Sequence, residues 1–199
     1  MVSNNRYQPR YSNMLDNDNV WTGTNTFVGG IGNSTTTLAT EEGSGMAGLA
    51  SYSSSITKVG NYIYTTIDID IEGIVSSVTA NDVIGDDGAA NAHIGQIINA
   101  DCGYLVSGSM TCLEVPTGGD ADINLCCSSV ATGAEDVDVT GLTNYAELLN
   151  GGTQTLGLTQ ALTALPTTAY YLYLSAGSGT AAAYTAGKLR IQLVGVAAT

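Results

Sequence analysis

Positive charge is nearly missing from this chain. Five lysines and arginines stand against eighteen aspartates and glutamates in 199 residues, a formal net charge of −13 with the single histidine neutral. A domain that grips nucleic acid on its own carries a basic footprint, and here the balance is reversed. An anionic membrane surface would repel the chain for the same reason. Neither nucleic acid nor membrane is therefore expected as a partner. Long apolar runs are missing as well: no stretch approaches the roughly 20 apolar residues of a membrane helix. Arg6 and Arg10 are followed by polar and acidic residues, not by the apolar centre of a secretion signal. Cytoplasmic folding is the expectation, with the Asn33-Ser34-Thr35 sequon silent.

Catalytic and metal-binding signatures are equally thin. His93 is the only histidine, and no GxSxG elbow accompanies it to build a nucleophilic triad. The four cysteines, Cys102, Cys112, Cys126 and Cys127, contain no CxxC pair. Small buried thiols are the expected reading, with a Cys102–Cys112 disulfide as the alternative. Gly43-Ser44-Gly45-Met46-Ala47-Gly48 matches GxGxxG. A dinucleotide site needs that loop between a strand and a helix, whereas here Glu41 and Glu42 precede it and serines follow. Asp82, Asp86 and Asp87 gather around a glycine turn, and Asp120 and Asp122 follow Gly118-Gly119. The spacing is not that of an EF-hand, and turn-forming aspartates explain both groups. No catalytic residue, metal ligand or cofactor is expected.

What the chain does contain is alternation. In Tyr62-Ile63-Tyr64-Thr65-Thr66-Ile67-Asp68-Ile69-Asp70-Ile71-Glu72 the isoleucines fall on one face of an extended strand and the tyrosines and carboxylates on the other. Lys188-Leu189-Arg190-Ile191-Gln192-Leu193-Val194 alternates in the same way. Opposite charges across a strand pair contribute about 0.2–1 kcal/mol each. The two strands are therefore expected as neighbours, with Asp68 and Asp70 near Lys188 and Arg190.

Further extended segments are expected at 74–83, 93–98, 104–113, 122–127, 136–139, 156–165 and 170–174, with Pro116 closing the third of these before Gly118-Gly119. Twenty-five glycines supply turns between short strands. The expectation is an all-β fold: an antiparallel β-sandwich, jelly-roll-like, over residues 56–199, preceded by an extended N-terminal arm and linker over 1–55. The arm holds the only Trp and the only Phe, in Trp21-Thr22-Gly23-Thr24-Asn25-Thr26-Phe27. Two large rings seek burial, and the arm has no core of its own to offer them. The main domain, another subunit or another protein must supply it.

Several segments resemble structural proteins of tailed marine bacteriophages. They are Lys58-Val59-Gly60-Asn61-Tyr62-Ile63-Tyr64-Thr65-Thr66-Ile67-Asp68-Ile69-Asp70, Ile84-Gly85-Asp86, His93-Ile94-Gly95-Gln96-Ile97, Met110-Thr111-Cys112-Leu113-Glu114-Val115-Pro116 and the ending from Ala181 to Leu193 with Tyr184-Thr185-Ala186-Gly187-Lys188. Trp21 to Phe27 separately resembles a short element of phage appendage proteins. The resemblance implies a virion setting and no catalytic residue. It points to a capsid decoration (cement) protein, not an enzyme, assembled in the host cytoplasm as a homotrimer on the major capsid protein. Trp21 and Phe27 would anchor the arm as aromatic hot spots do, and Arg6 and Arg10 would meet acidic groups of the shell or a neighbouring subunit. The rival expectation is a head- or tail-fibre component that binds host glycan, with Tyr170, Tyr171 and Tyr173 stacking on sugar rings.

Overall fold

A computed structural model describes residues 35–197. Within them the chain is nearly all strand. In chain order these are β1 (Thr35–Thr36), β2 (Ser51–Val59), β3 (Tyr62–Asp70), β4 (Val75–Ser76), β5 (Gln96–Ile97), β6 (Tyr104–Thr117), β7 (Ile123–Ser128), β8 (Ala146–Leu149), β9 (Thr159–Ala161), β10 (Tyr170–Ala176), β11 (Ala182–Ala183) and β12 (Ala186–Val196). One helical turn, α1 (Asn99–Cys102), leads into β6. The strands form a six-stranded sheet ordered β1-β2-β3-β12-β6-β9, a four-stranded sheet ordered β5-β10-β7-β8, and a β11-β4 ribbon. All registered pairs are antiparallel. The fold is an all-β sandwich; its strand order opens with a β1-β2-β3 meander and does not by itself establish a jelly-roll path.

The inner faces of both sheets feed one contiguous apolar cluster. Ile63, Ile67 and Ile69 of β3 enter it beside Leu189, Ile191 and Leu193 of β12, and Leu125, Leu172 and Leu174 enter it from the smaller sheet. β3 alternates because one of its faces is buried and the other wet. β7 does not, because all six of its residues are buried. Beyond β5 the edge of β10 is extended by loop residues: the Ile84 and Ile94 amides donate to the Leu174 and Leu172 carbonyls. Among the described residues the six-stranded sheet keeps outward side chains such as Tyr62 and Tyr64 exposed.

Three expectations need correction. The sandwich begins before residue 56: β1 and β2 are strands of the large sheet, and Leu38 and Met46 are core residues. This stretch looked like a linker because its inward position in β2 is Ser54, not an apolar residue. That hydroxyl accepts from the Leu38 amide at 3.0 Å and donates to Glu41 at 2.7 Å. Pro116 does not close β6, which continues to Thr117. The proline sits where the β6–β12 register shifts between Ala186 and Lys188, and a bulge tolerates the missing N–H. Residues 136–139 form no strand: Val139 begins a 3-10 turn capped by Asp138, whose carboxylate accepts from the Thr140 amide at 2.9 Å.

Candidate functional site: the open face of the large sheet

β3 and β12 lie side by side, with Lys188 opposite Asp70 and Arg190 opposite Asp68. Arg190 grips Asp68 through both forks, Nε to Oδ1 at 2.6 Å and an Nη to Oδ2 at 2.9 Å. Lys188 reaches Asp70 at 3.3 Å and Glu114 of β6 at 2.7 Å. These contacts hold both basic side chains more firmly in the charged form. The ladder carries two cations and three carboxylates, so this end of the face is close to neutral on a molecule of net charge −13.

The other end of the same face is aromatic and aliphatic. Register places Val196 between Tyr62 of β3 and Tyr104 of β6, with Val59 opposite Tyr62. These side chains are exposed: Val59 49%, Tyr62 52%, Tyr104 59% and Val106 55%. Exposed apolar groups gathered on one face mark an interaction surface more often than scattered ones do.

Between the two ends, Tyr64, Val194 and Ser107 form one row across three strands, and Thr66, Gln192 and Ser109 the next. Together they line a trough of about 350 Å³ with no charged side chain in its wall. Small serines on β6 leave room beside the larger Tyr64. The opposite side of β6 explains why the floor is tight: a Cβ at Gly108 would meet Leu193 at 2.8 Å in the core.

The residues singled out in the sequence fall in varied places. Arg6, Arg10, Trp21 and Phe27 lie outside the described residues. Tyr173 is fully buried, its hydroxyl donating to the Val130 carbonyl at 2.6 Å, and burial pushes its pKa to about 12. It belongs to the core and cannot stack on a sugar. Tyr170 and Tyr171 are half-buried, and Tyr171 packs its ring 4.8 Å from that of His93. His93 is itself 5% exposed, and burial lowers its pKa, so the ring is neutral. The four cysteines are free and buried, and burial beside Cys126 pushes the Cys127 thiol up to about 12.

The GxGxxG stretch serves packing. The Gly43 amide donates to the His93 carbonyl at 2.8 Å, and a Cβ at Gly43 would stand 2.0 Å from the Asn91 carbonyl oxygen. Asp86 accepts from the Gly48 amide with both oxygens at 2.9 Å, a turn-fixing role. Asp120 ties two loops. Its Oδ1 accepts from the Asp122 amide and the Ser178 hydroxyl, its Oδ2 from the Ser178 and Gly179 amides. Burial pushes its pKa up, but these four donors outweigh that and hold the carboxyl below the usual range. Among the described residues no group of three or more His, Cys, Asp or Glu is arranged to hold a metal ion. None of their helices is long and apolar enough to cross a membrane.

Alternation in the sequence pointed Tyr64, Thr66 and Gln192 outward. Nothing in it indicated that Ser107 and Ser109 would join them, since β6 meets β12 only through long-range pairing. Comparison with protein-family models, curated proteins and solved structures yields no match.

Proposed function

We propose that this chain is a structural protein of a bacteriophage virion, a capsid decoration protein. Its N-terminal arm grips the shell and its β-sandwich forms the body, three copies assembling together on the major capsid protein. The observation that carries this reading is the single apolar core that the described residues share. Among the described residues, those from Leu38 to Leu193 form one apolar core, and β1 is a two-residue strand at the margin of the large sheet. Trp21 and Phe27, which lie outside the described residues, are the anchors of this reading, and aromatic anchors dominate binding energy where they fill a partner's pockets. Arg6 and Arg10 then supply cations that an otherwise acidic molecule lacks. The role needs no catalytic residue.

The fibre reading keeps the same body and differs in number. Its observation is the uncharged trough beside exposed tyrosines, although Tyr173 takes no part. Purified particles decide between the two. A decoration protein stands at a fixed, high ratio to the major coat protein, and emptied heads that lack it burst more readily. Low copy number with binding to host cells favours the fibre, and absence from particles refutes both.

A further inference from the structure

We propose that the trough on the open face of the large sheet, lined by Tyr64, Thr66, Ser107, Ser109, Gln192 and Val194, is a binding site for a neutral saccharide.

The lining selects that class of ligand by its chemistry. Tyr64, 43% exposed, offers a ring face and edge, an apolar surface against which the C–H side of a pyranose packs. Gln192 brings an amide that both donates and accepts, and Thr66, Ser107 and Ser109 bring hydroxyls that do the same. A sugar presents this mixture in reverse: apolar C–H faces and a rim of hydroxyls. At about 350 Å³ the trough falls in the lower part of the roughly 300–1,000 Å³ range of small-molecule sites.

The alternatives fit less well. A purely apolar ligand would bury three hydroxyls and an amide without partners, at a cost of about 1–3 kcal/mol for each group left unsatisfied. An anion meets no cation in the lining and approaches a molecule of net charge −13. A cation finds no carboxylate there; the nearest, Asp68 in the next row, is already held by both forks of Arg190. An extended peptide adding a strand needs a free sheet edge. The strands under the trough are instead paired to one another, Thr66 to Gln192 and Gln192 to Ser109. Among the described residues this face keeps Tyr62, Tyr64 and Tyr104 exposed, in contrast to the smaller sheet, where β7 is buried throughout. Tyr62 and Tyr104 stand exposed one row beyond Tyr64, giving a chain of sugars more ring surface than a single unit uses.

The inference does not rest on capsid decoration, because purified full-length protein reads the trough directly. The probes are maltohexaose, cellohexaose, laminarihexaose, mannohexaose and N-acetylchitohexaose, each titrated by calorimetry and checked by saturation-transfer NMR. At least one binds saturably. Tyr64→Ala weakens that binding by about tenfold or more, equivalent to about 1.4 kcal/mol. Ser109→Leu, which fills the floor, abolishes it, and Leu156→Ser, at an exposed site outside the trough, leaves it unchanged. Circular dichroism and Tm confirm the fold of each variant, and Gln192→Ala gives the same reading should Tyr64→Ala unfold. The proposal is overturned if every probe fails to bind, or if Tyr64→Ala and Ser109→Leu bind like the wild type. It is equally overturned if those variants change the oligomer mass by light scattering while no sugar binds, which would make the face a subunit contact.

Discussion

Removing the Asp120 carboxylate should be among the most damaging single changes in the body. Asp120 is 2% exposed in the turn between β6 and β7. It accepts from the Asp122 amide at 3.0 Å, the Ser178 hydroxyl at 2.7 Å, the Ser178 amide at 2.9 Å and the Gly179 amide at 2.6 Å. Its main chain adds to the knot: its amide donates to the Ser76 hydroxyl at 2.9 Å, and its carbonyl accepts from the buried Tyr184 hydroxyl at 2.8 Å. The carboxylate therefore fastens the loop after β10 to the turn before β7. A hydrogen bond to a charged group contributes about 1.5–3 kcal/mol. Four such bonds on one group are not additive, and water reaches the exposed Ser178 side once the carboxylate is gone. Asp120→Ala should then cost about 3–5 kcal/mol, a large part of the roughly 5–15 kcal/mol a domain of this kind possesses. Asp120→Asn should cost about 2–3 kcal/mol, since in either flip its amide nitrogen faces at least one main-chain donor. The folded pKa is depressed, so this stability is present above the ordinary carboxylate value and lost as pH falls through the folded one. Urea unfolding followed by far-ultraviolet circular dichroism at pH 7 and pH 3 is the assay. A cost below about 1 kcal/mol for Asp120→Ala at pH 7 would refute the reasoning.

Other outcomes follow from the same contacts. In a double-mutant cycle of Asp68→Asn and Arg190→Met, the coupling should stay near or below about 1 kcal/mol and shrink with salt, because both side chains are more than a third exposed; a coupling well above that would place the pair in a drier setting. Gly43→Ala should destabilise by about 1–3 kcal/mol in the same unfolding assay, since the new methyl meets the Asn91 carbonyl. Burial lowers the His93 pKa, so the unfolded chain binds a proton below about pH 6.5 that the folded one refuses, and stability falls as pH drops from there. Tyr171 and Tyr173 are the rings that face His93. Glu135 and Asp122, whose pKa values are raised, act in the opposite sense. His93→Phe retains both and should stabilise relative to wild type progressively more below pH 6.5; a pH-independent difference would contradict the buried-neutral reading.

The parts of the fold legible in the sequence are those where one strand face is wet. β3 and β12 alternate cleanly, and their outward charges indicated that the two strands are neighbours, with Asp68 and Asp70 near Lys188 and Arg190; the register assigns the pairs. β7 and β10 appeared as short apolar runs because successive residues on both faces are buried, all six in β7 and Leu172 to Ala176 in β10, so no period identified the core side. β2 was hidden by Ser54, an inward polar residue satisfied by Leu38 and Glu41 from a loop distant in sequence. Tyr173 was misread as a surface ring for the same reason as β10: a buried phenol with a main-chain partner looks identical in sequence to an exposed one. The trough was illegible because Tyr64, Ser107 and Gln192 come from three strands far apart in the chain, and only their register makes them neighbours.

The most direct test of a shell-gripping arm on a self-sufficient body is to compare the full chain with residues 31–199 for cosedimentation with emptied phage heads. The account predicts that the shortened chain keeps its Tm and circular dichroism while losing the heads, and that Trp21→Ala with Phe27→Ala in the full chain does the same. Equal cosedimentation of the shortened and full chains would contradict it.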